Sequence, residues 1–423
     1  MAETQLINTQ TATIDEVITT VIMARVTDFF GFFVYAIASA LVFPQFFFPT
    51  LDAVDGTLAS FAIFSLAFLA RPISSFASRW VQRRIGRTGK VSLALMILGS
   101  STVAIGLLPG YDDIGWTAPI LLAALRIAQG IGLGGSWDGI TLQLQNAAPK
   151  GREGLYAMVP QMGGPIGFCV AASLFYVLTG FLTEEEFINY GWRFAFFAVM
   201  AVNVVSLFAR IRLLSADFGS DGRLITTAPF FKMVQTQWKP ILLSTLTPLG
   251  SYALFHMVTV FPLGYEILYS DRNIADIMLL ELVGGVLAIG SVILSGIAAD
   301  KFSRYRVAWI SSAMITLLCL SINTLDTMPA VYILFGFVLL GFAHGQSGAI
   351  SSGRFPIEYR YSASALATNL AWIVGAAFAP LSGLWLTSKF GLWAAALYML
   401  SGAVVTSFAL TFNKRHEQEY GEA

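Results

Sequence analysis

The sequence predicts an all-α membrane protein, with twelve transmembrane helices arranged as two six-helix bundles. Three observations carry this. The 423-residue chain is 56% hydrophobic and 12% charged, with a mean hydropathy of +0.70. A soluble domain has about 25% charged residues, so lipid must be the solvent over most of this surface. Twelve apolar runs approach or exceed the roughly 20 residues that a helix needs to cross the hydrocarbon layer. Positive charge gathers in alternate connections between those runs, the pattern of a multi-pass protein.

In chain order the runs are 18–47, 57–79, 91–110, 116–146, 154–181, 192–213, 239–269, 274–299, 306–325, 329–352, 361–387 and 390–412. They are too long and too uniformly apolar for barrel strands, which alternate over about ten residues. Several exceed the bilayer thickness and have to tilt or bend. Pro44, Pro160, Pro165, Pro248, Pro262 and Pro380 are the expected bends. The N-terminus, MAETQLINTQTATIDE, lacks the basic start and cleavage site of a signal peptide, so the first run is expected to stay as a helix.

With the N-terminus inside, the connections after runs 2, 4, 6, 8 and 10 carry most of the cations, including Arg79, Arg83, Arg84, Arg87, Lys90, Arg210, Lys301, Arg304 and Arg360. The opposite connections carry mainly acids: Asp52, Asp55, Asp112, Asp113, Glu184, Glu185, Glu186, Asp271 and Asp326. This asymmetry predicts two cytoplasmic termini and an even number of spans. The longest polar interruption follows the sixth run. It divides the chain into an N-terminal bundle (1–213), a cytoplasmic linker (214–238) and a C-terminal bundle (239–423). Such a layout suits a two-fold repeated transporter. The short basic loops RWVQRRIGRTGK and GIAADKFSRYR fall at equivalent places in the two halves.

Several classes are excluded. With 25 basic and 25 acidic residues the net charge is zero, and nothing suggests a nucleic-acid partner. Cys169 and Cys319 form no CxxC motif, and His256, His344 and His416 are too scattered for a metal site. There is no GxxxxGK[ST] phosphate loop and no Ser-His-Asp constellation, so neither ATP use nor enzymatic activity is expected. No cofactor is expected either.

Ionisable residues within a span are costly and mark function by default. Asp28 in run 1 is the sharpest proton-site candidate; its alternative is a structural tie to Arg126. Arg126 in run 4 is always charged, and could clamp a carboxylate, tune a neighbouring acid, or tie helices together. Asp138 lies twelve residues on, about 120° around the helix, and reads as an inner-gate or helix-capping residue ahead of a substrate contact. His256 is a proton relay or a packed histidine. Glu281 sits in the outer part of run 8, where it could reach water. Tyr35 and Trp137 are the aromatics expected to line a central cavity with Arg126, Asp138, His256 and Glu281. Gly132, Gly134 and Gly135 give run 4 a bare face for close helix contact.

These stretches resemble the major facilitator superfamily, and within it the metabolite:proton symporters that include carriers of citrate, 2-oxoglutarate, shikimate, proline and betaine. The resemblance rests on FFVYAIASALVFPQFFFP, FLARPISS, LRIAQGIGLGGSWDG, PQMGGPIG and GWRFAFF in the first half. In the second half it rests on GIAADKFSR and FPIEYRYSASALATNLAWIVGAAFAPLSG. It implies a central cavity, alternating access and proton-driven uptake. It places Arg126 at the arginine of the RxxQG pattern tied to proton coupling. Three positions depart from the pattern. Run 1 has Asp28, Phe29, Phe30 and Gly31 where two acids flank two aromatics. Run 4 has Ser136 in place of a glutamate, with an acid at Asp138. The loop after run 2 has Arg79 and Arg83 where a glycine and a gate-latching aspartate usually stand, ahead of Arg84, Gly86 and Arg87. The second-half copy keeps Gly296, Asp300 and Arg304.

The expected function is proton-coupled symport of a small organic acid or zwitterion, with Asp28 and Arg126 coupling the proton. Alternatives are a proton antiporter exporting amphipathic or cationic compounds, and a transport-dead sensor. The expected partners are a small-molecule metabolite, protons and the lipid bilayer. The chain is expected to be a monomer in the inner membrane.

Overall fold

The structure is a computed structural model, and it describes residues 13–136, 140–215, 228–352 and 355–419. Its described residues form helices and connections, with no strand among them. Among the described residues twelve helical segments follow in order. The first bundle holds α1 (Ile14–Leu41), α2 (53–85), α3 (87–106), α4 (Thr117–Gly135), α5 (Glu153–Phe181) and α6 (Arg193–Ser215). The second holds α7 (Phe230–Leu246 continued by Leu249–Tyr269), α8 (Ile274–Phe302), α9 (Arg304–Leu320), α10 (Pro329–Ser352), α11 (Ile357–Phe390) and α12 (Leu392–Glu419). An even count puts both termini on one face, called here the basic face after its loops. The opposite, acidic face carries the acid-rich connections.

The local causes are legible residue by residue. Thr13 and Glu16 form a reciprocal cap that starts α1: the Thr13 hydroxyl accepts from the Glu16 N–H at 3.3 Å, and the Glu16 carboxylate accepts from the Thr13 N–H at 3.0 Å. α2 and α3 form one helical run, Ala53–Gly106, that reverses at Gly86. Gly86 has φ 74°, a left-handed value open to glycine at no steric cost. The reversal brings the Lys90 ammonium within 3.3 Å of the Ser78 hydroxyl; a straight helix would hold those residues about 18 Å apart.

Proline bends occur where the apolar runs were too long. α7 bends by 43° around Thr247 and Pro248, and breaks again at Val260 ahead of Pro262. α1 ends at Val42 before Pro44, Pro160 sits in a tight turn within α5, and Pro380 follows the break at Phe378 in α11. Pro165 lies in the first turn of the helix Gly163–Phe181 without breaking it. α7 begins at Phe230, within the stretch assigned from the sequence to the linker.

α4 lies against α2 at backbone distance. A Cβ on Gly130 or Gly134 would run into the carbonyls of Ala67 and Arg71, so the bare face of run 4 is filled by another main chain. Where the bundles meet, the core is aromatic: Phe29, Phe32, Phe68 and Phe255 pack around Trp372, and Phe33 stacks on Phe255.

Two cations counted from the sequence as face charges are interior. Arg210 is 1% exposed and Lys90 is 5% exposed. Each lies near a span end, where hydropathy does not separate a loop charge from a buried one.

Candidate functional site

A cavity of about 620 Å³ lies between the bundles. Arg25, Asp28, Phe29, Phe32, Arg71 and Ser136 line it from the first bundle; Thr368, Asn369 and Trp372 line it from the second. A smaller one of about 260 Å³ lies inside the first bundle, with Asp28, Thr102, Arg126, Gln129 and Asn203 in its wall. Asp28 belongs to both.

Asp28 is anchored by α6. The Arg210 guanidinium donates to its carboxylate at 2.7 Å and to the Ala24 carbonyl at 2.7 Å. Arg25, one turn back on α1, is 3.6 Å from the other carboxylate oxygen. The tie is therefore to Arg210 and Arg25; no ion pair joins Asp28 to Arg126 among the described residues.

Arg126 is 1% exposed and held by neutral partners. Its Nε donates to the Phe64 carbonyl at 3.2 Å and its Nη1 to the Gln129 side chain at 3.0 Å. Gln129 in turn donates to the Thr102 hydroxyl at 2.9 Å. Arg126 and Gln129 are three residues apart on one helix face, which is why this spacing builds a cradle. The guanidinium lies 3.8 Å from the centre of the Tyr35 ring, a cation–π contact. Its Nη2 is buried without a hydrogen-bond partner, as are both polar atoms of the Asn203 side chain. Orphaned buried polar atoms are rare in folded proteins, and here three lie close together in the wall of one cavity.

Arg71 was not anticipated. It lies on α2 in the wall of the cavity between the bundles, its guanidinium 4.9 Å from the Phe68 ring and 5.3 Å from Trp372. Its Nε is buried and unpartnered. The signal was present in FLARPISS: an arginine inside an apolar run is a functional candidate on the same rule that singled out Arg126. Trp372 opens a π-helical stretch, Trp372–Ala377. Wide turns of this kind recur at functional sites.

The remaining candidates separate. Tyr35 is fully buried beneath Arg126 and is absent from the lining of the cavity between the bundles. His256 is 0% exposed, stacks on Phe32 at 5.1 Å, and its Nε2 has no partner. Glu281 does not reach water as its outer position suggested: it is 1% exposed, and it too is absent from that lining. Trp137 and Asp138 lie outside the described residues.

The residues expected at the gate lie on the basic face. Asp300, near the end of α8, accepts from the Gly154 N–H at 2.5 Å and the Leu155 N–H at 3.2 Å, at the start of α5. A carboxylate at a helix N-terminus is favoured by the helix dipole and satisfies orphan donors. Gly154 and Gly296 permit the approach: a Cβ on Gly154 would stand 2.6 Å from the Gly296 carbonyl and 2.8 Å from the Asp300 carboxylate. On the other side Lys90 donates to the Tyr361 hydroxyl of α11 at 2.7 Å. Arg84 packs over Trp80 at 4.7 Å, and Arg304 faces a cleft shared with Glu153 and Arg360. Arg83 and Arg87 flank the Gly86 reversal. Towards the acidic face, Gly264 of α7 packs on Phe61 of α2.

The profile of the Major Facilitator Superfamily matches residues 28–368. The chain is 33% identical over 418 residues to the inner membrane metabolite transport protein YhjE of Escherichia coli K12, covering 95% of each chain. It is 28% identical over 402 residues to the shikimate transporter of Escherichia coli K12, covering 92% of each. It is 27% identical over 400 residues to a putative proline/betaine transporter of Staphylococcus aureus strain COL, covering 91% of this chain and 85% of that one. Among solved structures, a D-xylose-proton symporter superposes with a TM-score of 0.72 at 15% identity, over 93% of this chain and 97% of that one. This last likeness is one of fold.

Proposed function

The chain belongs to the Major Facilitator Superfamily, and on that premise we propose that it carries a small organic acid or zwitterionic metabolite in symport with protons, by alternating access. It is a multi-pass membrane transporter and not an enzyme. The charge asymmetry supports an inner-membrane setting with the basic face, and so both termini, in the cytoplasm. The interruption after α6 supports a first bundle that ends near Ser215 and a second that begins with α7 at Phe230.

The observation that carries the reading is the pair Arg71 and Arg126. Both have a buried guanidinium nitrogen without a partner, and neither has a carboxylate partner among the described residues. A substrate carboxylate satisfies such donors, with charge-assisted bonds roughly twice as strong as neutral ones. Relatives named for shikimate and for proline/betaine agree with a carboxylate-bearing cargo. A cation exporter needs acids in its cavity, and Asp28, the acid in the lining, is already held by Arg210.

Coupling runs through Asp28. Its ion pair opens when the anion competes for the surrounding guanidiniums, and the released carboxylate takes the proton. Asp300 at the α5 N-terminus and Lys90 at Tyr361 act as the inner latches, so the gate is rebuilt with different chemistry in each half.

The test is uptake of radiolabelled shikimate, proline and betaine into proteoliposomes under an imposed inward proton gradient. Accumulation above equilibrium supports the reading. If Asp28→Asn still concentrates the substrate against its gradient, the coupling assignment is wrong.

A further inference from the structure

Glu281 is a carboxyl for which the transport reading has no use so far. It lies on α8 seven residues from the helix start at Ile274, about 10 Å in from the acidic face. It is 1% exposed, its Oε1 has no hydrogen-bond partner, and no ion pair to it is present among the described residues. An intramembrane acid of this kind is expensive unless it serves the cycle.

Its position gives the service. Residues three and four places on share its helix face. Gly285 meets α5 of the first bundle, where its Cβ would stand 2.6 Å from Cys169 Sγ and 3.1 Å from Phe168. Gly284 meets Phe337 of α10. Glu281 therefore shares the face of α8 that meets α10 of its own bundle and, across the seam between the bundles, α5. Further along the same helix Asp300 latches onto the start of α5.

The groups on the packed elements leave Glu281 without a counter-charge. On α5 Cys169 is directed at the Leu282 carbonyl at 3.9 Å, and Tyr176 is exposed. On α10, Tyr332 donates to the Met257 carbonyl, and His344 is bonded by Ser251 and Ser347. At the end of α7, Glu266 is paired with Arg272 and Tyr265 is bonded to Asp326; Tyr269 is on the same turn. α9 offers Cys319.

A carboxylate closed into this seam has neither water, nor a cation, nor a donor on Oε1, whereas a neutral acid loses far less by burial. Parting the bundles at α5 and α8 admits water and makes the ionised form affordable. We infer that Glu281 is a second proton-binding group, loaded when the α5–α8 seam closes and released when it opens. Protonation is thus tied to the rocking of the bundles and is separate from the Asp28 ion pair. The inference rests on the transporter reading but names a site that reading does not use.

The test is infrared spectroscopy of the full chain in lipid at neutral pH, with no substrate present. Expected is a carbonyl band of a protonated carboxylic acid that Glu281→Gln removes and Asp28→Asn leaves in place. A band that survives in Glu281→Gln, or no such band in the parent protein, overturns the inference. Should Glu281→Gln not fold, the parent protein grown on carbon-13 glutamate decides: the band shifts if it arises from a glutamate, and an unshifted band overturns the proposal. Failure of proton-driven uptake in the parent would sink the symport reading and leave the infrared result standing, so the two failures are distinct.

Discussion

Asp28 and Arg210 face each other at 2.7 Å across α1 and α6, in a setting where the carboxylate side chain is 10% exposed and the guanidinium 2%. A buried pair of this kind is strongly destabilised when one partner alone is removed, and much less when both are. That asymmetry supplies the first prediction.

Asp28→Asn lowers stability by about 3–5 kcal/mol, and Asp28→Asn with Arg210→Gln recovers part of the loss. Thermal unfolding in detergent gives the comparison. A double variant no more stable than the single one would mean that the pair does not act as a unit.

Arg126→Lys keeps the charge but loses the planar fork, and with it the unpartnered Nη2 that the proposed reading offers to a substrate carboxylate. Losing one charged hydrogen bond costs about 1.5–3 kcal/mol, which is about 10- to 100-fold in affinity or rate. Uptake by Arg126→Lys is therefore expected to fall by at least about 10-fold, with the melting temperature much less affected. Near-normal uptake would assign Arg126 a purely structural role.

Arg71→Gln removes a cation from the wall of the cavity between the bundles and leaves the backbone packing of α4 on α2 untouched. For an anionic substrate the half-saturation concentration rises by about 10-fold while the maximal rate changes little. An equal fall in rate at saturating substrate would point to a conformational role instead.

Gly154→Ala puts a methyl group where the Gly296 carbonyl and the Asp300 carboxylate now stand, at 2.6 and 2.8 Å. Overpacking of this order costs about 1–3 kcal/mol and falls only on the state closed at the basic face. Cysteines placed along the inner half of α5 should then react faster with a thiol reagent supplied from that side. Unchanged labelling would remove the contact from the gate.

The fold was legible because lipid imposes a length and a composition on each span, and the charge of the loops reports which face they share. The site was legible only in part. Asp28 and Arg126 announce themselves as charges in apolar runs, and Arg71 does the same but borders Pro72, in a stretch read only for its family resemblance. Arg210 looked like a loop cation at the end of its run. Its partner is 182 positions earlier, and a pairing over that separation has no periodicity to betray it. Lys90 was hidden in the same way, since only the Gly86 reversal turns it toward Tyr361.

The backbone-to-backbone seating of α4 on α2, where Gly130 and Gly134 leave no space above Ala67 and Arg71, has one more consequence. Two helices fitted this tightly travel as one piece when the molecule rocks. Arg71 rides on one and Arg126 on the other, so the gap between their guanidiniums stays constant from one half-cycle to the next. If both arginines hold the cargo as proposed, the pair works as a caliper, gauging its length in the same way whichever compartment it came from.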